Sequence, residues 1–259
     1  MPSRATTPLT TAVTAAPACR AAPRAWLEAE AARAVNYPLS RWWLRPLATW
    51  VAAQLAFTSC RPWHVTLVGL MLAATAAAVI VWHAAGSCWA AALILAAWLC
   101  DRIDGPLARR LGTASPRGAW LDANIDELVD LGLHVAIAAA AASRMQSSWP
   151  WGLLAAFLLG KYLFMYGMQL EAAVTPAAAP AFNARPSESP SGRSPGRFHR
   201  LVRGLYHAPA NADVRIHLLA ACVAANGLLV ALAWPALYYN FRWMARYVLV
   251  CRRLPEGPA

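Results

Sequence analysis

Lysine is almost missing from this chain: Lys161 is the only one, and Asp and Glu together number 12. Charged residues make up 14% against 59% hydrophobic ones, and mean hydropathy is +0.40, a balance that belongs to a membrane protein. The six cysteines (19, 60, 88, 100, 222 and 251) have no paired spacing and no His partners, which removes any argument for a disulfide framework or a zinc site. Residues 1–35 are rich in Ala, Thr and Pro and hold no uninterrupted apolar core, so no cleaved signal peptide is expected. The net charge of +11 could suit nucleic acid, but the basic residues are dispersed along segments that flank apolar ones. Attraction to anionic lipid heads is the simpler reading, and no nucleic-acid partner is expected.

Apolar runs dominate what is present. A helix needs about 20 residues to cross a hydrocarbon core of ~30 Å. Such runs extend from about Val65 to Trp82, Trp89 to Asp104, Gly118 to Ala142, Trp149 to Leu170 and Val214 to Ala233, with a shorter one from Ala236 to Cys251. Before them, Pro38–Thr58 contains Arg41, Arg45 and three Trp, is broken by Pro46, and reads as an interfacial amphipathic helix. The fold expected is therefore an all-α integral membrane protein with six transmembrane helices preceded by an interfacial helix. Residues 1–37 are expected to be a disordered extension, 38–251 the membrane domain with a flexible loop at about 172–211, and 252–259 a tail.

Arginine sets the orientation. Seven Arg precede or include Arg61, four lie in Arg102–Arg117, five in Glu171–Asn211 and two in the tail, whereas the alternate loops contain only Arg144. By the positive-inside rule both termini and the Arg102–Arg117 loop face the cytoplasm of an inner membrane. Trp82, Trp89, Trp149, Trp151 and Trp234 mark the opposite, outer ends.

Into this apolar background the chain sets five of its six Asp between 101 and 130. Carboxylates at membrane depth are costly and call for a cation, a proton path or a polar substrate. Asp101 and Asp104 are three apart and Asp122 and Asp126 four apart, so each pair shares one face of its helix. Two such helices facing one another offer four hard oxygen ligands to Mg²⁺ or Mn²⁺. Gly105 and Ala108 lack bulk, so a ligand can approach the backbone there. Arg109 can bond phosphate or hold an Asp ligand.

The full pattern, Asp101-x2-Asp104-Gly105-x2-Ala108-Arg109-x8-Gly118-x3-Asp122-x3-Asp126, resembles the signature of the CDP-alcohol phosphatidyltransferase family. The resemblance implies transfer of a phosphatidyl group from CDP-diacylglycerol to a hydroxyl acceptor with release of CMP, assisted by two divalent ions. It makes Asp101, Asp104 and Asp122 metal ligands, and Asp126 both ligand and general base. Gly105, Ala108, Arg109 and Gly118 would then line the CDP-lipid site. Arg61-Pro62-Trp63-His64-Val65-Thr66 is similar to the family's Pro-Asn-x-x-Thr segment, with Trp63 where Asn is usual and Thr66 kept as a CDP contact. Ser115 lies in the loop where relatives touch the CDP moiety, and Glu127 stands where many carry Lys or Arg. The partners implied are a CDP-alcohol, an alcohol acceptor, membrane lipids and a second copy of the chain.

Three residues leave alternatives open. Asp130 continues the stripe 122/126/130 outside the signature, supporting a ligand or serving only the fold. Lys161 and Arg242, the deepest cations outside the motif, either meet an acceptor phosphate or pair with a neighbour. His64, His134 and His217 are scattered and are not expected as ligands, and Arg102, Arg110 and Arg117 mark the inner surface. A family relative that takes a soluble CDP-alcohol and diacylglycerol is the near rival. A cation transporter is the rival of another class, which would have no need of Gly105, Ala108, Arg109 and Gly118. The acceptor is undetermined among inositol phosphates, glycerol phosphate, serine and others.

Overall fold

The computed structural model describes residues 24–34, 37–174 and 211–252, and every regular element among them is helical. The elements are α1 (Arg24–Ala34), a 3₁₀ turn (Ser40–Trp42), α2 (Leu44–Leu55), α3 (Pro62–His83), α4 (Cys88–Arg110), α5 (Pro116–Met145), α6 (Trp149–Val174), α7 (Ala212–Ala224) and α8 (Leu228–Cys251). Most of the loop expected at about 172–211, and of the tail, lies outside the described residues.

α3 packs along α4 and α5, α6 along α8, and α7 against α4. Their shared core is built from Ile80, Ile94, Ile137, Phe157, Leu219 and Leu232, all fully enclosed. Among the described residues, α3 and α6 are two helices long and apolar enough to cross a membrane, over Pro62–His83 and Trp149–Ala173, and only 28% of each span's apolar stretch is buried within the protein. An apolar helix left that bare would not be stable facing water, so its outer face suits lipid. α4 carries Asp101, Arg102 and Asp104 in its apolar run, and α5 carries Asp122, Asp126, Glu127 and Asp130.

Ser115 starts α5 by accepting the backbone N–H of Gly118 at 3.1 Å, with Pro116 at the first helical position where its missing N–H costs nothing. α4 ends in a turn at Gly112, whose φ of +65° is the left-handed conformation that glycine adopts freely, and Thr113 N–H closes it onto the Ala108 carbonyl at 2.9 Å. This tight connection folds the two Asp-bearing helix ends beside each other.

Three expectations need correcting. Residues 24–34, placed in the disordered extension, form α1. Pro46 does not break the interfacial segment but sits in the first turn of α2, where a helix tolerates proline; α2 then buries Leu44, Ala48 and Ala52 and exposes Trp42, Trp43 and Trp50 around it. The last two helices do not part at Ala233–Ala236. Pro235 lies inside α8, and the break falls at 225–227, where Asn226 takes a left-handed φ of 56° and Gly227 N–H caps the Cys222 carbonyl at 2.7 Å. Asn226 also accepts the Gly86 N–H at 2.9 Å, joining the two turns at that end of the bundle. Trp82 and Trp89, at 88% and 80% exposed, ring the same end.

Asp213, the one Asp outside 101–130, is wholly buried at the start of α7. Its Oδ2 accepts the N–H groups of Leu39 and Ser40 at 2.8 and 2.9 Å, and Ser40 Oγ bonds its other oxygen. This carboxylate ties the beginning of the interfacial segment to the helix bundle.

Candidate functional site

Asp101 and Asp104 stand in the second half of α4, Asp122 and Asp126 in the first half of α5. One oxygen from each of Asp101, Asp122 and Asp126 lies within 4.8 Å of the other two. Asp104 is outside this trio but lines the same cavity, with Thr66, Trp98, Asp130 and Arg215. It is 6% exposed, and its Oδ2 accepts the Thr66 hydroxyl at 2.7 Å. The trio converges anionic oxygens from two helices across one opening, a donor set that fits a hard divalent ion such as Mg²⁺ or Mn²⁺. Thr66, proposed from sequence as a CDP contact, thus aims a carboxylate into the cavity.

Three like charges this close need positive neighbours. Arg102 supplies one: its Nε donates to Asp101 Oδ2 at 2.7 Å, and its guanidinium lies 4.0 Å over the Trp98 ring and 4.9 Å over Tyr37. Sequence reasoning left Arg102 as a surface charge. Its place beside Asp101 and one turn after Trp98 could have been suspected, but the second aromatic face, Tyr37, comes from a distant segment.

Arg109 is committed in a direction the motif does not disclose. Its Nε and Nη2 donate to the two oxygens of Glu30 at 2.6 and 2.9 Å. The guanidinium also covers Gly105, where a Cβ would meet Nη1 at 3.2 Å. What approaches the Gly105 backbone in this structure is therefore the arginine head. Ala108 is half-buried on the same helix, while Ser115 and Gly118 are exposed and joined in the helix cap.

Lys161 and Arg242 are not among the cavity's lining residues. Lys161 is buried and bonds Asp130 Oδ2 at 2.6 Å and Glu127 Oε2 at 2.5 Å, so the acid found where relatives carry a base has a cation of its own. Arg242 packs 4.6 Å over Phe164 and bonds the Tyr238 hydroxyl. The cation that does reach the cavity is Arg215 of α7, which the sequence reading did not single out. It donates to the Tyr239 hydroxyl at 2.7 Å, lies 3.5 Å from Asp130, and its Nε has no hydrogen-bond partner. A single Arg in the first turn of an apolar helix was the available signal. Of the three histidines, His64 accepts the Arg61 N–H at 3.0 Å and His134 and His217 bond carbonyls one turn back, so all three serve the helices.

Among curated proteins no significant match is found. A model of the CDP-alcohol phosphatidyltransferase family matches residues 59–250, from the residue before Cys60 almost to the end of α8. That span takes in the four Asp, Thr66, Gly105, Arg109 and Arg215, leaving α1 and α2 outside it. With its acidic trio mounted on a two-helix hairpin in an apolar bundle, this chain belongs to the CDP-alcohol phosphatidyltransferase family.

Proposed function

We propose that the chain transfers a phosphatidyl group from CDP-diacylglycerol to a hydroxyl acceptor, releasing CMP. Family membership supports transfer from a CDP-alcohol in phospholipid synthesis at a membrane. The observation that carries the finer reading is the convergence of Asp101, Asp122 and Asp126 within 4.8 Å in a cavity whose other walls include the apolar Leu70, Ile94, Leu133 and Ile216. A lipid-borne diphosphate can enter such a cavity with its acyl chains still among the helices.

Asp101, Asp104, Asp122 and Asp126 would hold two divalent ions, Mg²⁺ or Mn²⁺, which when bound neutralise the diphosphate and the departing CMP. Asp126, the most exposed of the acidic trio, accepts the proton of the acceptor hydroxyl. The acceptor oxygen forms a bond to the lipid phosphorus, and the bond to CMP breaks with its electron pair leaving on CMP. Thr66 keeps Asp104 turned inward. Arg109 and Gly105 face the nucleotide side with Ala108, and the α5 cap at Ser115 and Gly118 borders it. On the acceptor side Arg215 is better placed than Lys161 or Arg242, because it already lines the cavity and they do not.

Six crossings, α3 through α8, complete the proposal, with N- and C-termini and the site on the cytoplasmic side of an inner membrane and with the chain acting as a homodimer. The 13 residues of α7 span roughly 20 Å at 1.5 Å each, short for a bilayer. Its first residue, Ala212, lines the acidic cavity, so α7 starts at the depth of the site and covers the remaining distance.

The test is purified protein with CDP-diacylglycerol, Mg²⁺ or Mn²⁺, and a panel of alcohols with and without phosphate. Metal-dependent CMP release with one acceptor is expected. Release only from a soluble CDP-alcohol with diacylglycerol would reverse the assignment of donor and acceptor, and metal-dependent ion flux without CMP would end it.

A further inference from the structure

The family-matched segment begins at residue 59, yet one of the protein's most enclosed charges lies before it. Glu30, on α1, is 2% exposed. A buried carboxylate is stable only when paired, and Glu30 is held from three sides. Arg109 grips both oxygens, Arg33 Nη1 is 3.3 Å away, and Arg45 Nη1, buried on α2, is 3.8 Å away. The helix that carries Glu30 is anchored independently. Trp26 packs against the cluster formed by Ala48, Ala52, Ile103 and Leu107, and the Arg110 guanidinium lies 5.6 Å over its ring.

The two-oxygen grip on Arg109 has a geometric consequence. Nε and Nη2 point to Glu30, so the planar fork is fixed with Nη1 over Gly105, one turn beyond the signature's Asp101 and next to Asp104. Arg109 is also near enough to Asp122 for their charges to interact. Without its carboxylate, the guanidinium would be drawn toward the acidic trio, where it would oppose cation binding and abandon its place beside Gly105.

We propose that Glu30 is a positioning residue for the transfer: it holds Arg109 over Gly105, facing the CDP diphosphate and off the metal-binding carboxylates. This rests on the reading of the site as a CDP-alcohol transferase, and adds to it a residue from outside the family's matched segment. α1 is then part of the working enzyme.

The experiment compares full-length wild type with Glu30→Gln, Glu30→Asp, Arg109→Met and the Glu30→Gln/Arg109→Met double variant, measuring CMP release and, separately, Mn²⁺ and CDP binding by calorimetry. Residues that orient metal or substrate ligands typically contribute 10–100-fold. Glu30→Gln should therefore raise the KM for the CDP substrate and weaken Mn²⁺ binding by about tenfold or more, with a smaller change in kcat. Glu30→Asp should recover part of both. In the Arg109→Met background, Glu30→Gln should change neither, because Glu30 acts through Arg109. Glu28→Gln, at an exposed position on the same helix, should match wild type. Unchanged KM and binding in a Glu30→Gln protein that merely melts earlier would overturn the proposal, as would tighter CDP binding, which would make Glu30 a restraint on Arg109. If wild type releases no CMP from any CDP-alcohol, the functional reading fails, and the Mn²⁺ and CDP binding series still decides Glu30.

Discussion

Lys161 of α6 is clasped by Asp130 of α5, Nζ to Oδ2 at 2.6 Å, with both side chains buried where the helices pack. A second bond to Glu127 leaves the ammonium facing carboxylates instead of a substrate. Truncating one member of a buried pair leaves the other charge uncompensated, at a cost of about 3–5 kcal/mol. Lys161→Met is therefore expected to lower the detergent-solubilised protein's thermal midpoint, and Asp130→Asn to do likewise. The double variant should lose less than the sum, because neither charge is then stranded. Arg215→Met, in contrast, should raise the acceptor KM more than the CDP-substrate KM. A selective rise in acceptor KM from Lys161→Met with stability intact would restore Lys161 to the acceptor site.

Topology can be read with a cysteine the chain already carries. Cys88 is exposed at the start of α4, beside the Trp82 and Trp89 end of the bundle, and Thr113 is exposed at the opposite end in the turn between the Asp helices. In an otherwise cysteine-free protein, Cys88 should react with an impermeant maleimide from outside intact cells. Thr113→Cys should react only after the membrane is opened. The reverse pattern would invert the proposed orientation.

The acidic site was legible in the sequence because its information is local. Spacings of three and four residues put each Asp pair on one helix face, and Gly112 and Ser115 mark the turn between them. The signature's resemblance to the CDP-alcohol phosphatidyltransferases is likewise local, and the family match over residues 59–250 bears it out. What sequence reading missed depends on distant pairing or on competing local cues. Glu30 reaches Arg109 across 79 positions, and Arg215 meets Asp130 only because α7 packs into the bundle against α4. The pair Trp234-Pro235 looked like a membrane-edge break, but proline is accommodated within α8 while Asn226-Gly227, a left-handed turn pair, ends α7.

Thr66 has a single polar task among the cavity's side chains, its bond to Asp104. Thr66→Val keeps the shape and removes the donor, freeing Asp104 to rotate. An activity loss of about 10–100-fold is expected, the range typical when a ligand's supporting hydrogen bond is removed, with little change in the thermal midpoint. Thr66→Ser should retain most activity. Full activity in Thr66→Val with a loss in Thr66→Ser would point to a methyl contact instead of the hydroxyl.

Asp126 gives the sharpest division of labour. Asn at this position is nearly isosteric and keeps one oxygen for a cation, but it cannot accept a proton near neutral pH. Removing a general base costs about 10²–10⁴ in rate. Asp126→Asn is therefore expected to bind CDP and Mn²⁺ with at most moderate weakening while CMP release nearly stops. Asp101→Asn should differ. Its carboxylate faces Arg102 and the other two acids, so losing its charge should reduce Mn²⁺ affinity first and nucleotide affinity with it. The two variants need metal binding, CDP binding and turnover measured on the same preparations. Turnover near wild type in Asp126→Asn would remove the base assignment. Parallel loss of binding in both variants would show that Asp126 acts as a ligand alone, and the proton would then have to pass to another group in the cavity.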